Sequence, residues 1–142
     1  MKVLVIIARV LLGLMFVVFG LNGFFHFMKQ PDQPPSLAKD FATALMASHY
    51  FDIVAGLQVV GGALCLLGSR FVPLGLMLLG PVIVNILLFH IFLLPRGWQP
   101  SAMAGLLSLF LLWAYRHAFA GLLPKTSAPQ PAPAPPTAQQ RK

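Results

Sequence analysis

Apolar residues run through this chain in four long blocks, with polar and turn-forming residues gathered between them. The blocks cover residues 3–25, 51–67, 72–94 and 102–119. None alternates like a half-buried strand, and each comes close to the roughly 20 residues that a helix rising about 1.5 Å per residue needs to cross a bilayer. In the first block only Arg9 and Asn22 interrupt the apolar run. Its length, its internal Arg9 and the lack of a small-x-small cleavage site make it a retained span rather than a signal peptide. Gly68-Ser69-Arg70 leaves room only for a tight turn, so the second and third blocks form a helical hairpin. Pro73 fits the first turn of a helix, where a missing N–H costs nothing. Pro81 lies inside the third block, where it should kink the helix and free a carbonyl. The run Pro95-Arg96-Gly97-Trp98-Gln99-Pro100 is a short turn with Trp98 suited to the interface, and Trp113 and Tyr115 mark the far end of the fourth block.

The pattern breaks in two places. Between His26 and Tyr50 lies the one long loop, which Pro31, Pro34 and Pro35 open in extended form. Ser36 can cap a short helix there, with Leu37, Phe41 and Leu45 along one stripe, suited to the membrane interface. Residues 124–142 are Pro- and Ala-rich, cannot build a core, and read as a disordered, polyproline-like cytoplasmic tail after a membrane domain over 1–123. The expected fold class is therefore all-α: an integral membrane four-helix bundle with a short interfacial helix in its first outward loop.

Composition agrees with that reading. Hydrophobic residues make up 58% of the 142 and charged residues only 9%, against about 25% charged in a soluble domain. The mean hydropathy of +0.81 says that lipid wets most of the exterior. A net charge of +7 could suggest nucleic acid, but the cations stand singly between apolar runs and form no basic stripe. They set orientation instead. Lys2, Arg9, Arg70, Arg116, Lys125, Arg141 and Lys142 fall on one side of four spans, and Lys29, Lys39 and Arg96 on the other. Cytoplasmic loops are enriched in Lys and Arg, so both termini belong inside. The lone Cys65 permits no intrachain disulfide.

Span association in lipid relies on close packing, and Gly13, Gly20, Gly56, Gly61, Gly62, Gly75 and Gly80 offer it in the first three spans. Polar residues inside spans are costly and usually face the bundle interior or a wet cavity. Given the topology, Asn22, His26, His49, Asp52, Asn85 and His90 converge on the outer leaflet, with Gln58 deeper. Three readings stay open for this cluster. It can be a hydrogen-bonded knot that fixes helix register. It can be a pocket for the head group of a quinone or another lipid-like molecule, whose carbonyls need imidazole or amide donors beside an apolar cleft. It can hold a metal or haem, with His49 and Asp52 as an i, i+3 chelate. No CxxC, no glycine-rich phosphate loop and no second intramembrane acid to pair with Asp52 is present. Arg9 and Arg116 lie near the inner ends and should snorkel to the interface.

At these residues the chain resembles a known family. The strings Ala8-Arg9-Val10-Leu11-Leu12-Gly13-Leu14 and Phe19-Gly20-Leu21-Asn22-Gly23-Phe24-Phe25, then Gly61-Gly62-Ala63-Leu64-Cys65-Leu66-Leu67-Gly68, and above all the Pro-x-x-x-Asn-x-x-x-x-His spacing of Pro81, Asn85 and His90, resemble the DoxX family of four-span membrane proteins. That family is similar to DoxD, the small subunit of thiosulfate:quinone oxidoreductase. The resemblance implies a bacterial inner membrane, a redox association near a quinone pool, and a protein partner that carries the redox centre, with no cofactor intrinsic to this chain. Related four-span proteins act in assembly or cargo escort, so a non-enzymatic scaffold is the second expectation. Family members often carry Glu near the position of Gln58, and an amide there cannot exchange protons.

Overall fold

The computed structural model describes residues 1–29 and 34–120, and all regular structure among them is helical. Pro31 and Asp32 of the first loop, and the tail expected over 124–142, lie outside the described residues. The elements are α1 (Lys2–Phe25), α2 (Leu37–Ala47), α3 (Tyr50–Leu67), α4 (Val72–Phe92), α5 (Gln99–Ala114) and a single turn α6 (Arg116–Phe119). Three of these, α1, α3 and α4, are long and apolar enough to cross a membrane. At 1.5 Å per residue they measure about 36, 27 and 32 Å. Much of their surface is apolar and turned outward, as at Leu4, Leu11, Val60 and Leu74.

The fourth apolar block departs from its expected bounds. It enters helix at Gln99, three residues early, because Pro100 sits in the first turn, where its missing N–H costs nothing. It leaves regular helix at Tyr115 (φ −100°, ψ 12°), and α6 resumes for one turn. Helix α5 alone spans about 24 Å, short of a hydrocarbon core of about 30 Å. The third block behaves differently at its proline. Helix α4 runs through Pro81 as one element, and Pro81 lies on its exposed face.

Helix α3 is the hub of the packing. It lies against α1 on one side and α4 on the other, α5 touches both α4 and α1, and α2 rests on α3. Neighbouring glycines on α3 make this possible. A Cβ on Gly62 would stand 2.7 Å from the Gly13 carbonyl oxygen, and one on Gly75 would stand 2.8 Å from the Gly61 carbonyl oxygen. Backbones therefore touch backbones on both sides of α3. Around these contacts Leu12, Cys65, Val72, Leu79 and Leu111 are fully buried.

Helix α2 forms where Ser36 caps it, the Lys39 N–H donating to Ser36 Oγ at 3.3 Å. Leu37 and Phe41 of the expected interfacial stripe lie on its outward face. Leu37 is 80% exposed and Phe41 40%, whereas Ala38 is fully buried. The inner stripe is Ala38, Ala42 and Leu45, because small side chains let this short helix approach closely. Phe41 reaches over instead to Phe89 of α4, with ring centroids 5.8 Å apart.

Arg9 links two parts of the chain. It is half-buried, and its Nη1 donates to Ser69 Oγ at 2.9 Å, which ties α1 to the α3–α4 turn. Its Nε is buried with no hydrogen-bond partner among the described residues. Arg116 lies over the Trp113 ring at 5.0 Å and donates to the Trp113 carbonyl.

The glycine contacts predict a sharp contrast between two substitutions on one helix. Gly62→Ala forces a methyl group against backbone and should cost about 1–3 kcal/mol. Gly56→Ala meets nothing within 4 Å and should be neutral or stabilising by up to about 1 kcal/mol. Thermal unfolding of both variants in mild detergent reads the difference.

Candidate functional site

Helix register decides which polar residues can meet. Gly13 faces Gly62 and Gly20 faces Ala55, so α1 and α3 are antiparallel with His26 level with His49. Gly61 faces Gly75, which sets α4 antiparallel to α3 with Asn85 level with Phe51 and His90 beyond the start of α3. Asn22, His26, His49, Asp52, Asn85 and His90 thus share one end of the helix assembly. They do not form one cluster.

The first two shape the end of α1. His26 is the C-cap, in the left-handed region at φ 50°, and its N–H donates to the Asn22 carbonyl at 2.9 Å. The Asn22 side chain, 9% exposed, accepts the Met28 N–H on Oδ1 at 2.6 Å. His26 itself is exposed. A non-glycine residue in this region is uncommon, and histidine is among those that tolerate it best. Here the imidazole follows from a backbone need.

The next two form a pair at the start of α3. His49 is its N-cap, again left-handed at φ 57°, and His49 Nδ1 donates to Asp52 Oδ2 at 3.0 Å. The two side chains are 86% and 51% exposed, so the pair sits in the open. It fastens the α2–α3 corner at a gain of about 0–1 kcal/mol, the range of exposed ion pairs. Among the described residues no three His, Cys, Asp or Glu side chains gather into a set able to hold a metal.

The remaining three diverge. Gln58 is only 6% exposed and lies against α1, where a Cβ on Gly20 would stand 3.0 Å from its own Cβ. Asn85 and Pro81 are on the exposed face of α4. His90 stands about 140° around the helix from Asn85, five residues on at 3.6 per turn. It is half-buried and borders a groove of about 370 Å³ between the end of α4 (Leu87, His90, Ile91) and the start of α5 (Trp98, Ser101, Ala102), with Pro95 also lining it. Of the seven candidate residues, His90 alone lines this groove.

Its ring is fixed in place. His90 Nδ1 donates to the Ile86 carbonyl one turn back at 2.9 Å, and Phe89 meets it edge-on at 5.4 Å. Ser101 Oγ donates to the Trp98 carbonyl at 2.6 Å. A second hollow of about 420 Å³ runs along α2 past Pro35, Lys39, Asp40 and Thr43, and none of the seven residues lines it.

No protein-family model, curated protein or solved structure matches the chain. The spacing of Pro81, Asn85 and His90 splits across α4, with Asn85 outward and His90 in the groove.

Sequence reasoning passed over Ser101 altogether and took Trp98 only as an interface marker. Both become groove residues through the early start of α5, which brings them back over the end of α4. No polar spacing along the chain signals that juxtaposition.

If Asn22 and His26 serve the backbone, their substitutions separate. Asn22→Leu strands the Met28 N–H and should lower stability by about 1–3 kcal/mol. His26→Gly relieves the left-handed strain and should be neutral or stabilising by up to about 1 kcal/mol. Chemical unfolding in micelles, followed by circular dichroism, measures both.

Proposed function

We propose that this chain is a four-helix, multi-pass membrane protein that holds the head group of a quinone, or of a similar lipid-like molecule, in the groove at His90. In this reading it is a dependent subunit of a membrane redox complex of the DoxX kind, in a bacterial inner membrane. Electron transfer belongs to a partner that carries the redox centre. Helices α5 and α6 together make the fourth crossing, α2 lies in the outer interface, and both termini are cytoplasmic, consistent with the excess of Lys and Arg on that side.

The observation that carries the proposal is the groove itself. An imidazole held at a fixed angle beside Leu87, Ile91 and Ala102 joins one directional polar contact to an apolar wall. Binding sites for small apolar molecules have this makeup, mostly hydrophobic with a few placed polar groups. Trp98, which also lines the groove, suits the level of the lipid head groups.

A second reading has an observation of its own. Asn22 and His49 make local bonds at helix ends, and His26 is itself a helix cap. A protein whose polar groups are spent on closing its own helix ends suits a scaffold or assembly factor that binds no small molecule.

Organic extraction of the full chain, purified in mild detergent, separates the two. Quinone should be recovered at close to one per chain by mass spectrometry. Ala102→Phe fills the groove and should cut that recovery about tenfold, the equivalent of about 1.4 kcal/mol, with helix content unchanged. Wild-type protein that is quinone-free, folded and stable would favour the scaffold.

A further inference from the structure

We infer that the groove is built for the reduced form of that head group, a hydroquinone, because its fixed side chains meet the ligand mainly as hydrogen-bond acceptors. The inference rests on reading the groove as a head-group site. It goes further by naming the chemical form the site prefers.

A neutral imidazole carries one N–H, and the partner of each ring nitrogen decides which one holds it. The Ile86 carbonyl can only accept, so at 2.9 Å the proton is on His90 Nδ1. Nε2, on the opposite edge of the ring, is left with a lone pair. Ser101 has made the same choice. Its hydroxyl proton goes to the Trp98 carbonyl at 2.6 Å, so Oγ also keeps only lone pairs, on a residue that is 4% exposed. Both residues line the groove, together with the apolar side chains of Leu87, Ile91, Pro95 and Ala102. The free side-chain donor among the lining residues is the indole N–H of Trp98, a residue that is 56% exposed.

A quinone carbonyl can accept from the indole but gives nothing to Nε2. The imidazole would lose its water and gain no partner, the costly outcome for a polar group. A hydroquinone hydroxyl does both, donating to Nε2 while its oxygen accepts from Trp98. The apolar tail then has an outward path over Ile91, which is 65% exposed, into the surrounding lipid.

The test uses the full chain in lipid nanodiscs under anaerobic conditions, titrated by calorimetry with four decyl compounds. These are a decyl benzoquinol, its quinone, the quinol's dimethyl ether, and decanol. The quinol should bind about tenfold tighter than the other three, the worth of one well-placed hydrogen bond. His90→Phe should level the quinol, quinone and ether while a folded, monodisperse protein is retained. Nitrogen-15 labelling of the histidine rings supplies a reading that needs no variant. His90 should show a protonated Nδ1 and a bare Nε2, and only the Nε2 resonance should move when the quinol is added. Quinone binding as tight as the quinol's would overturn the preference and leave the head-group site standing. Decanol matching the quinol would overturn the assignment to an aromatic diol. Binding by none of the ring compounds would overturn this inference together with the function on which it rests.

Discussion

Two adjacent glycines on α3 are the constraint on which the rest of the molecule depends. Neighbouring helix positions point about 100° apart, so Gly61 and Gly62 open two different faces of the same turn. One receives α4 at Gly75 and the other α1 at Gly13. Lipid offers helices no hydrophobic reason to associate, because an acyl chain is as apolar as leucine. What remains is dispersion, summed over many atoms, which falls away steeply when surfaces separate by even half an ångström. Close backbone approach is therefore the source of cohesion here and not only its result. It also fixes register, since each glycine admits only the segment directly opposite.

From that register the chemistry at the His26 and His49 end follows. Helix α1 ends there and α3 begins there, and a histidine takes the left-handed residue each time. Both corners are secured by short polar bonds next to them, Asn22 to the Met28 amide and His49 to Asp52. Polar side chains in this region mostly close the ends of helices. His90 differs in that its bond to Ile86 uses one ring nitrogen, and the residue borders a groove between two helices.

The existence of the long helices was legible in the sequence, and so was the cap at Ser36. A run of more than 20 apolar residues has few other fates, and a Ser before a periodic stretch is a local signal that needs no tertiary context. What could not be read was which way each polar residue faces. In a water-soluble helix the apolar stripe marks the inside, but α4 is apolar all round, so nothing along the chain says that Asn85 points out while Val82 and Ile83 point in. Nor does anything along the chain say that Ala38 is the inner contact of α2, because close approach in this fold favours small residues. The two left-handed histidines were legible only as imidazoles. Their backbone role appears once the helices end on either side of them.

Arg9 brings time into the picture. Its hydrogen-bond partner, Ser69, lies 60 residues further along the chain. At a synthesis rate of about 5–20 residues per second, several seconds pass between the emergence of the guanidinium and that of the hydroxyl that holds it. Through that interval α1 is in the membrane with a cation that only head groups and water can satisfy, so its depth is set by the bilayer surface. Arrival of the α3–α4 turn hands that control from the lipid to the protein. The Arg9 bond thus forms only after the 60 residues that separate it from Ser69 have been made.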